Sequence, residues 1–161
     1  GLGRTAIFPV VTAGRIDLVS LLMDNSAELN IAGEDGMTLA HIATEIQRPE
    51  LLRHLVKAGG RAHTRERSKG FTPLMIAVVA GCVPMVQALV PLGHLDVTDQ
   101  ANRTALQHAV AAQITPTMAE IVRILVNGGA SRTVADQSNM TPLMVGAERG
   151  QVEVVEALLH P

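Results

Sequence analysis

Thr72-Pro-Leu-Met-Ile-Ala-Val-Val-Ala-Gly81 decides the fold, because its pattern recurs along the chain at a nearly fixed step. A threonine opening an apolar run stands at Thr5, Thr38, Thr72, Thr104 and Thr141, in steps of 33, 34, 32 and 37. A second marker keeps the same phase. A valine or leucine follows the threonine by 14 residues at Val19, Leu52, Val86 and Val155, and by 18 at Val122. The fourth copy therefore holds four extra residues, which this reading places between its two helices, around Gln113–Thr117. A period in this range marks a repeat architecture, in which each unit buries its apolar face against its neighbours.

Within a unit, the threonine is suited to cap the first turn of a helix, and Pro73 and Pro142 suit the first helical position. A short apolar helix follows, Leu74 to Ala80 in the third copy, stopped by Gly81. A second helix is expected to begin near Pro49, Pro84 or Glu120, with Met85, Val86, Leu89 and Val90 at helical spacing. Gly59-Gly60, Gly93 and Gly128-Gly129 are stop signals, and the polar residues after them read as an extended hairpin.

Thr38 to Ala43 (TLAHIA) and Thr72 to Ala77 (TPLMIA) resemble the Thr-Pro-Leu-His-x-Ala signature of the ankyrin repeat. Gly129-Ala130, Leu21-Leu22 and Leu158-Leu159 are similar to that family's closing residues. The resemblance covers essentially the whole chain. It implies an all-α repeat solenoid, an ankyrin-repeat array of about five helix-turn-helix units joined by β-hairpin-like loops. Residues 1–161 then form a single domain with repeats at about 1–32, 33–66, 67–98, 99–135 and 136–161. It also implies that His41 and His108 sit at the signature position and are structural, bonding neighbouring loop backbone. Copy one departs from the pattern, with Ala6 in place of proline and Pro9 expected to shorten or bend its first helix. The last helix carries Val152, Val154, Val155, Leu158 and Leu159, more apolar surface than a terminal cap should show, so the chain is read as an excerpt of a longer protein.

Composition narrows the function. With 47% hydrophobic and 17% charged residues the chain is too apolar for disorder, and two Phe with no Tyr or Trp leave the core to aliphatic side chains. A net charge of −2 gives no general attraction for nucleic acid or an anionic membrane. No apolar run reaches the length of a membrane span, so no membrane insertion is expected. The lone Cys82 forms no internal disulfide and is read as a half-buried turn residue; the expected setting is intracellular, cytoplasmic or nuclear. His54, His63, His94 and His160 make no i, i+4 pair, and no phosphate-binding glycine loop is present. The sequence therefore argues for no enzyme, no metal, no cofactor and no small-molecule substrate. The basic segment 61–69, with Arg61, Arg65, Arg67 and Lys69 against Glu66, reads as a solvated loop before it reads as a nucleic-acid site, since no aromatics interleave it.

The resemblance implies a protein–protein interaction scaffold, acting as a monomer, that takes a partner peptide or domain in a concave groove. The alternative is a regulatory or substrate-docking region of a larger enzyme, ubiquitin ligase or channel. Family contact positions carry over to Arg4, Met37, Phe71, Arg103 and Met140, the residues just before each threonine. They also carry over to Glu34, Asp35, Ser68, Lys69, Gln100 and Gln137 at hairpin tips, and to Glu45, Val79, Ala112, Glu148 and Arg149 at first-helix ends. Aromatic, Met and Arg side chains favour interface centres, which makes Phe71 the expected anchor of an apolar, acidic segment flanked by Arg103 and Lys69. Leu22 followed by Glu28-Leu29-Asn30 is similar to ankyrin loops modified by an asparaginyl hydroxylase, making Asn30 a candidate modification site. A loop-stabilising side chain is the weightier reading of Asn30.

Overall fold

The computed structural model describes residues 2–24, 28–113 and 115–159, with the side chains of residues 2–6 and 23 outside that description. Among the described residues the chain forms ten α-helices in two layers. The first helices of the copies are α1 (Leu2–Thr12), α3 (Leu39–Glu45), α5 (Pro73–Val79), α7 (Ala105–Ala111) and α9 (Pro142–Glu148). The second helices are α2 (Ile16–Asp24), α4 (Pro49–Lys57), α6 (Val83–Leu89), α8 (Pro116–Asn127) and α10 (Val152–Leu159). Each first helix packs on the first helices before and after it and on its own second helix, and the second helices stack likewise. One core therefore runs the length of the array.

Local sequence explains the elements. Thr72, Thr104 and Thr141 sit in extended backbone, and each hydroxyl accepts the N–H three residues on: Met75, Gln107 and Met144. Helices this short are marginal alone, so the buried face must hold them. On α4, Leu51, Leu52 and Leu55 are buried, each contributing roughly 1.5–3 kcal/mol. No strand forms among the described residues. The loops are tight hairpins, one of them carrying an isolated bridge between Ala32 and Thr38.

Two expectations change, in copies one and four, and copy three keeps the start expected near Pro84. In copy one, α1 begins at Leu2, so Thr5 lies inside the helix rather than capping it, and the helix continues through Pro9 to Thr12. Pro9 is solvent-exposed, on the side of a helix where proline's missing N–H donor costs least. In copy four, α8 begins at Pro116 rather than near Glu120, because Thr115 accepts the Met118 N–H and Pro116 occupies the first helical position. The insertion thus lengthens the second helix, to 12 residues against 7 in α6, more than it lengthens the connection. In copy three, α6 starts at Val83, with Cys82, half-buried, as its N-cap.

On α10, Val154 and Leu158 are buried while Val152 and Leu159 face solvent. No helix among the described residues is long and apolar enough to cross a membrane.

Candidate functional site

The site is built by the hairpins. Each closes with one backbone bond, from Gly33 to Met37 (2.8 Å), Glu66 to Phe71 (3.0 Å), Asp99 to Arg103 (2.9 Å) and Asp136 to Met140 (3.0 Å), N–H to carbonyl. A carboxylate then collects the N–H groups of the turn. Asp99 accepts from Ala101 and Arg103 (both 2.8 Å), and Asp136 from Ser138 (2.8 Å) and Met140 (3.0 Å). The hairpin holding Phe71 is one residue longer, and a side chain one methylene longer fills the role. Glu66 accepts from the N–H groups of Ser68 (2.5 Å), Lys69 (2.7 Å) and Phe71 (2.9 Å) and from the Ser68 hydroxyl (2.6 Å). Burial works to raise its pKa, but these bonds, the Ser68 hydroxyl foremost, hold it at about 2. In the first hairpin the position belongs to Gly33, and Asp35 supplies the carboxylate instead, accepting from Met37 N–H (2.9 Å). The residue two before each threonine adopts a left-handed conformation, at Gly36, Gly70, Asn102 and Asn139, residue types that tolerate it.

The hairpins are tied into a ladder. Arg67 N–H donates to the Asp35 carbonyl (2.8 Å), Gln100 to Lys69 (2.9 Å) and Gln137 to Ala101 (3.3 Å). Side chains reinforce it, with the Gln100 amide donating to the Arg67 carbonyl (2.9 Å) and the Gln137 amide to the Gln100 carbonyl (2.7 Å). Gln100 and Gln137, expected to touch a partner, are therefore exposed residues whose amides bind the preceding hairpin. Arg67 does the same through the Glu34 carbonyl (2.9 Å).

Buried polar side chains join hairpins to helices. His41 accepts the Thr38 N–H at Nδ1 (3.1 Å) and donates from Nε2 to the Phe71 carbonyl (3.0 Å) of the next hairpin. Burial lowers its pKa, the Phe71 contact opposing this, so the ring is neutral. His108 was expected to be its counterpart and is not. The counterpart is Gln107: its carbonyl accepts the Thr104 N–H (2.9 Å), and its amide donates to Met140 (2.9 Å) and Val134 (3.2 Å). Threonine followed three residues on by glutamine is a capping box, the signal that marks Gln107. His108 instead donates to Asp99 (2.9 Å), shares that carboxylate with Arg103 and packs edge-on against Phe71 at 4.8 Å.

Met37, Phe71, Arg103 and Met140 are each half-buried, while the Arg4 side chain lies outside the described residues. Glu34, Asp35, Ser68, Lys69, Glu45, Val79 and Glu148 are exposed, Val79 at 58%. The Lys69 ammonium stands 5.7 Å from the Phe71 ring centre. Arg103 is held by Asp99, and Arg149 donates to the carbonyl of half-buried Ala112 (3.2 Å), so both have structural partners. The basic segment 61–69 is broken up: Glu66 is buried within it, Arg67 lies over the first hairpin and Lys69 over Phe71.

The far edge carries a second tie, in which Asn30 has the loop-stabilising role expected of it and Asp96 a role the sequence analysis did not assign. Asn30 accepts the Arg61 N–H (2.7 Å) and donates to Gly59 (3.2 Å), and Asp96 accepts the Ser131 N–H (2.7 Å). Between them His63 stacks on His94, ring centres 4.0 Å apart. Burial, then His94 and Arg61, lower the His63 pKa. The spacing of Asn30, His63 and Asp96, 33 residues each, was the available signal.

This geometry agrees with what known proteins show. The chain is 27% identical over 158 residues to a B-cell lymphoma 3 protein homolog of Mus musculus, covering 95% of this chain and 34% of that protein. It is 26% identical over 163 residues to ankyrin repeat and SOCS box protein 16 of Homo sapiens, covering 98% and 36%. A glycerophosphocholine phosphodiesterase of Schizosaccharomyces pombe is 35% identical over 74 residues, covering 45% of this chain and 6% of that enzyme. The chain thus spans about a third of the length of the relatives it matches end to end. A family model described as ankyrin repeats (3 copies) matches residues 7–99 and 92–161. The hairpin ladder, the paired helices and the Thr-x-x-His and Thr-x-x-Gln boxes accordingly belong to a member of the ankyrin repeat family.

Proposed function

We propose that the chain is a protein–protein interaction scaffold, monomeric, binding a partner segment on the concave face formed by hairpin tips and first helices. Ankyrin repeats generally mediate protein–protein interaction. The observation that carries the reading is the centre of that face: Phe71 half-buried, Ile76 half-buried and Val79 58% exposed, with charged residues set around them. An apolar patch with a polar rim is how interfaces are built. The lone half-buried thiol of Cys82 fits an intracellular setting, cytoplasm or nucleus.

Affinity capture with wild type beside Phe71→Ala and Val79→Arg tests it. Phe71→Ala should weaken capture by about 1–2 kcal/mol, and Val79→Arg should abolish it with unchanged melting. Equal loss of folding and binding would refute the reading. Phe71 also packs on His108, so Val79, touching less, is the cleaner site.

A second reading has its own support, the partial coverage of relatives named for a SOCS box and for a phosphodiesterase. In it the chain is a docking or regulatory segment of a larger protein. Catalysis by the chain itself lacks geometric support. The His108–Asp99 pair is buried, one Asp99 oxygen takes the N–H groups of Ala101 and Arg103, the other takes the Arg103 guanidinium and His108, and burial keeps His108 neutral against the pull of Asp99.

A further inference from the structure

We infer that the cleft between copies one and two takes a basic, long side chain of the partner segment, an arginine or lysine, and that this contact fixes the direction in which the segment lies; the inference rests on the groove reading above. The cleft has a volume of about 460 Å³ and an apolar floor of Phe8, Met37 and Ile42. Its rim carries Glu34, Asp35 and Glu45. Asp35 spends one oxygen on the Met37 N–H, whereas Glu34 and Glu45 are exposed and make no ion pair among the described residues. Arg67 reaches the Glu34 backbone carbonyl, which sets three carboxylates against one guanidinium. A basic side chain matches this surface twice. Its methylene stem covers apolar floor while its head stays at the wet rim, and a guanidinium fork meets a carboxylate with two hydrogen bonds.

The sign of the surface changes one repeat later. Met37, Ile42 and Glu45 correspond in copy three to Phe71, Ile76 and Val79, where the one nearby carboxylate, Glu66, is buried on the hairpin N–H groups and the Lys69 ammonium lies over the Phe71 ring. Packed helices stand roughly 10 Å apart, about three residues of extended chain. The complementary segment therefore places its basic residue in the first cleft, an apolar residue over Ile76 and Val79, and an acidic residue toward Lys69. A segment of reversed charge order meets like charge at both ends, which is how an interface selects orientation.

The test is selection of a random peptide library on the wild-type chain, followed by fluorescence polarisation with the winning peptide made synthetically. The expected winners carry Arg or Lys. Replacing that residue by Met should cost about tenfold in affinity, Glu34→Gln with Glu45→Gln should cost the same, and the two changes together should cost no more than either. Both glutamates are exposed, so melting of the variant should match wild type. Winners whose binding Val79→Arg destroys, but which hold no basic residue or lose less than about twofold on its removal, would overturn the cleft inference and leave the groove reading standing. Absence of any peptide sensitive to Val79→Arg would overturn both.

Discussion

Replacing His41 by alanine removes the hydrogen bonds of its ring to the Thr38 N–H, the Thr38 hydroxyl and the Phe71 carbonyl. The ring is buried, with Nδ1 accepting from Thr38 N–H at 3.1 Å and Nε2 donating to Phe71 carbonyl at 3.0 Å. Each such bond contributes about 1 kcal/mol net, and a donor or acceptor left buried without a partner costs about 1–3 kcal/mol. His41→Ala should therefore destabilise the array by roughly 3 kcal/mol or more, with the cavity adding to this. His41→Gln should lose no more than about 1 kcal/mol, because Gln107 already makes both connections at the equivalent place with an amide. Urea unfolding followed by helical circular dichroism measures both. His41→Ala within about 0.5 kcal/mol of wild type, or His41→Gln as damaging as His41→Ala, would refute the assigned role.

The same pair tests the protonation state. His41 has its pKa lowered from 6.5 in the folded chain, by burial first. Between the lowered value and 6.5 the unfolded chain binds more protons, so stability is complete above 6.5, falls as pH drops from 6.5 toward the folded value, and levels off below it. His63 and His108 shift in the same direction. Wild type should lose stability as pH falls below about 6.5, and His41→Gln should lose less, since glutamine does not titrate. An equal slope in both proteins would place the titration elsewhere.

Other consequences are cheaper to check. Gln47 holds a left-handed φ of 53° in the turn between α3 and α4, where Gly14, Gly81 and Gly150 stand in other copies; Gln47→Gly should raise stability by about 0.5–1 kcal/mol in the same unfolding assay. Glu66→Gln sets an amide NH₂ against N–H donors and should cost about 2 kcal/mol near neutral pH; since the Glu66 pKa is lowered to about 2 from 4.5, its contribution is full above 4.5 and lost as pH falls through 2, so the difference between variant and wild type should shrink in acid. Thr115→Ala should cost about 1 kcal/mol and loosen amide protection in the first turn of α8. Val152→Lys, at 67% exposure, should leave stability within about 0.5 kcal/mol.

The repeat phase was legible because stacking requires identical backbone at fixed intervals, and threonine caps and left-handed turn residues are the few side chains that backbone tolerates. Boundaries were less legible wherever two local signals competed. Glu120 opens the apolar spacing of α8, yet Thr115-Pro116 supplies a better start, and a cap outweighs the first apolar residue because it satisfies an otherwise orphaned N–H. The rule for proline in helix interiors predicts a bend or break at Pro9, whereas its solvent-facing position limits what that rule costs.

The candidate site is a set of positions in the sequence and not a surface, because exposure along a repeat array depends on what the adjacent copy donates. Gln100 and Lys69 hold comparable places at hairpin tips, but the Gln100 amide is drawn to the Arg67 carbonyl while Lys69 has no acceptor there and rises over Phe71. Arg103 differs from Met37 and Met140 for the same kind of reason: Asp99 beneath it supplies a counter-charge. Glutamate at 45 and valine at 79 occupy matched places on successive helices, so the groove changes from acidic to apolar within one step while the backbone repeats. The proposed selectivity rests on side chains that the hairpin ladder leaves unclaimed, Glu34 at a hairpin tip and Glu45 and Val79 at first-helix ends.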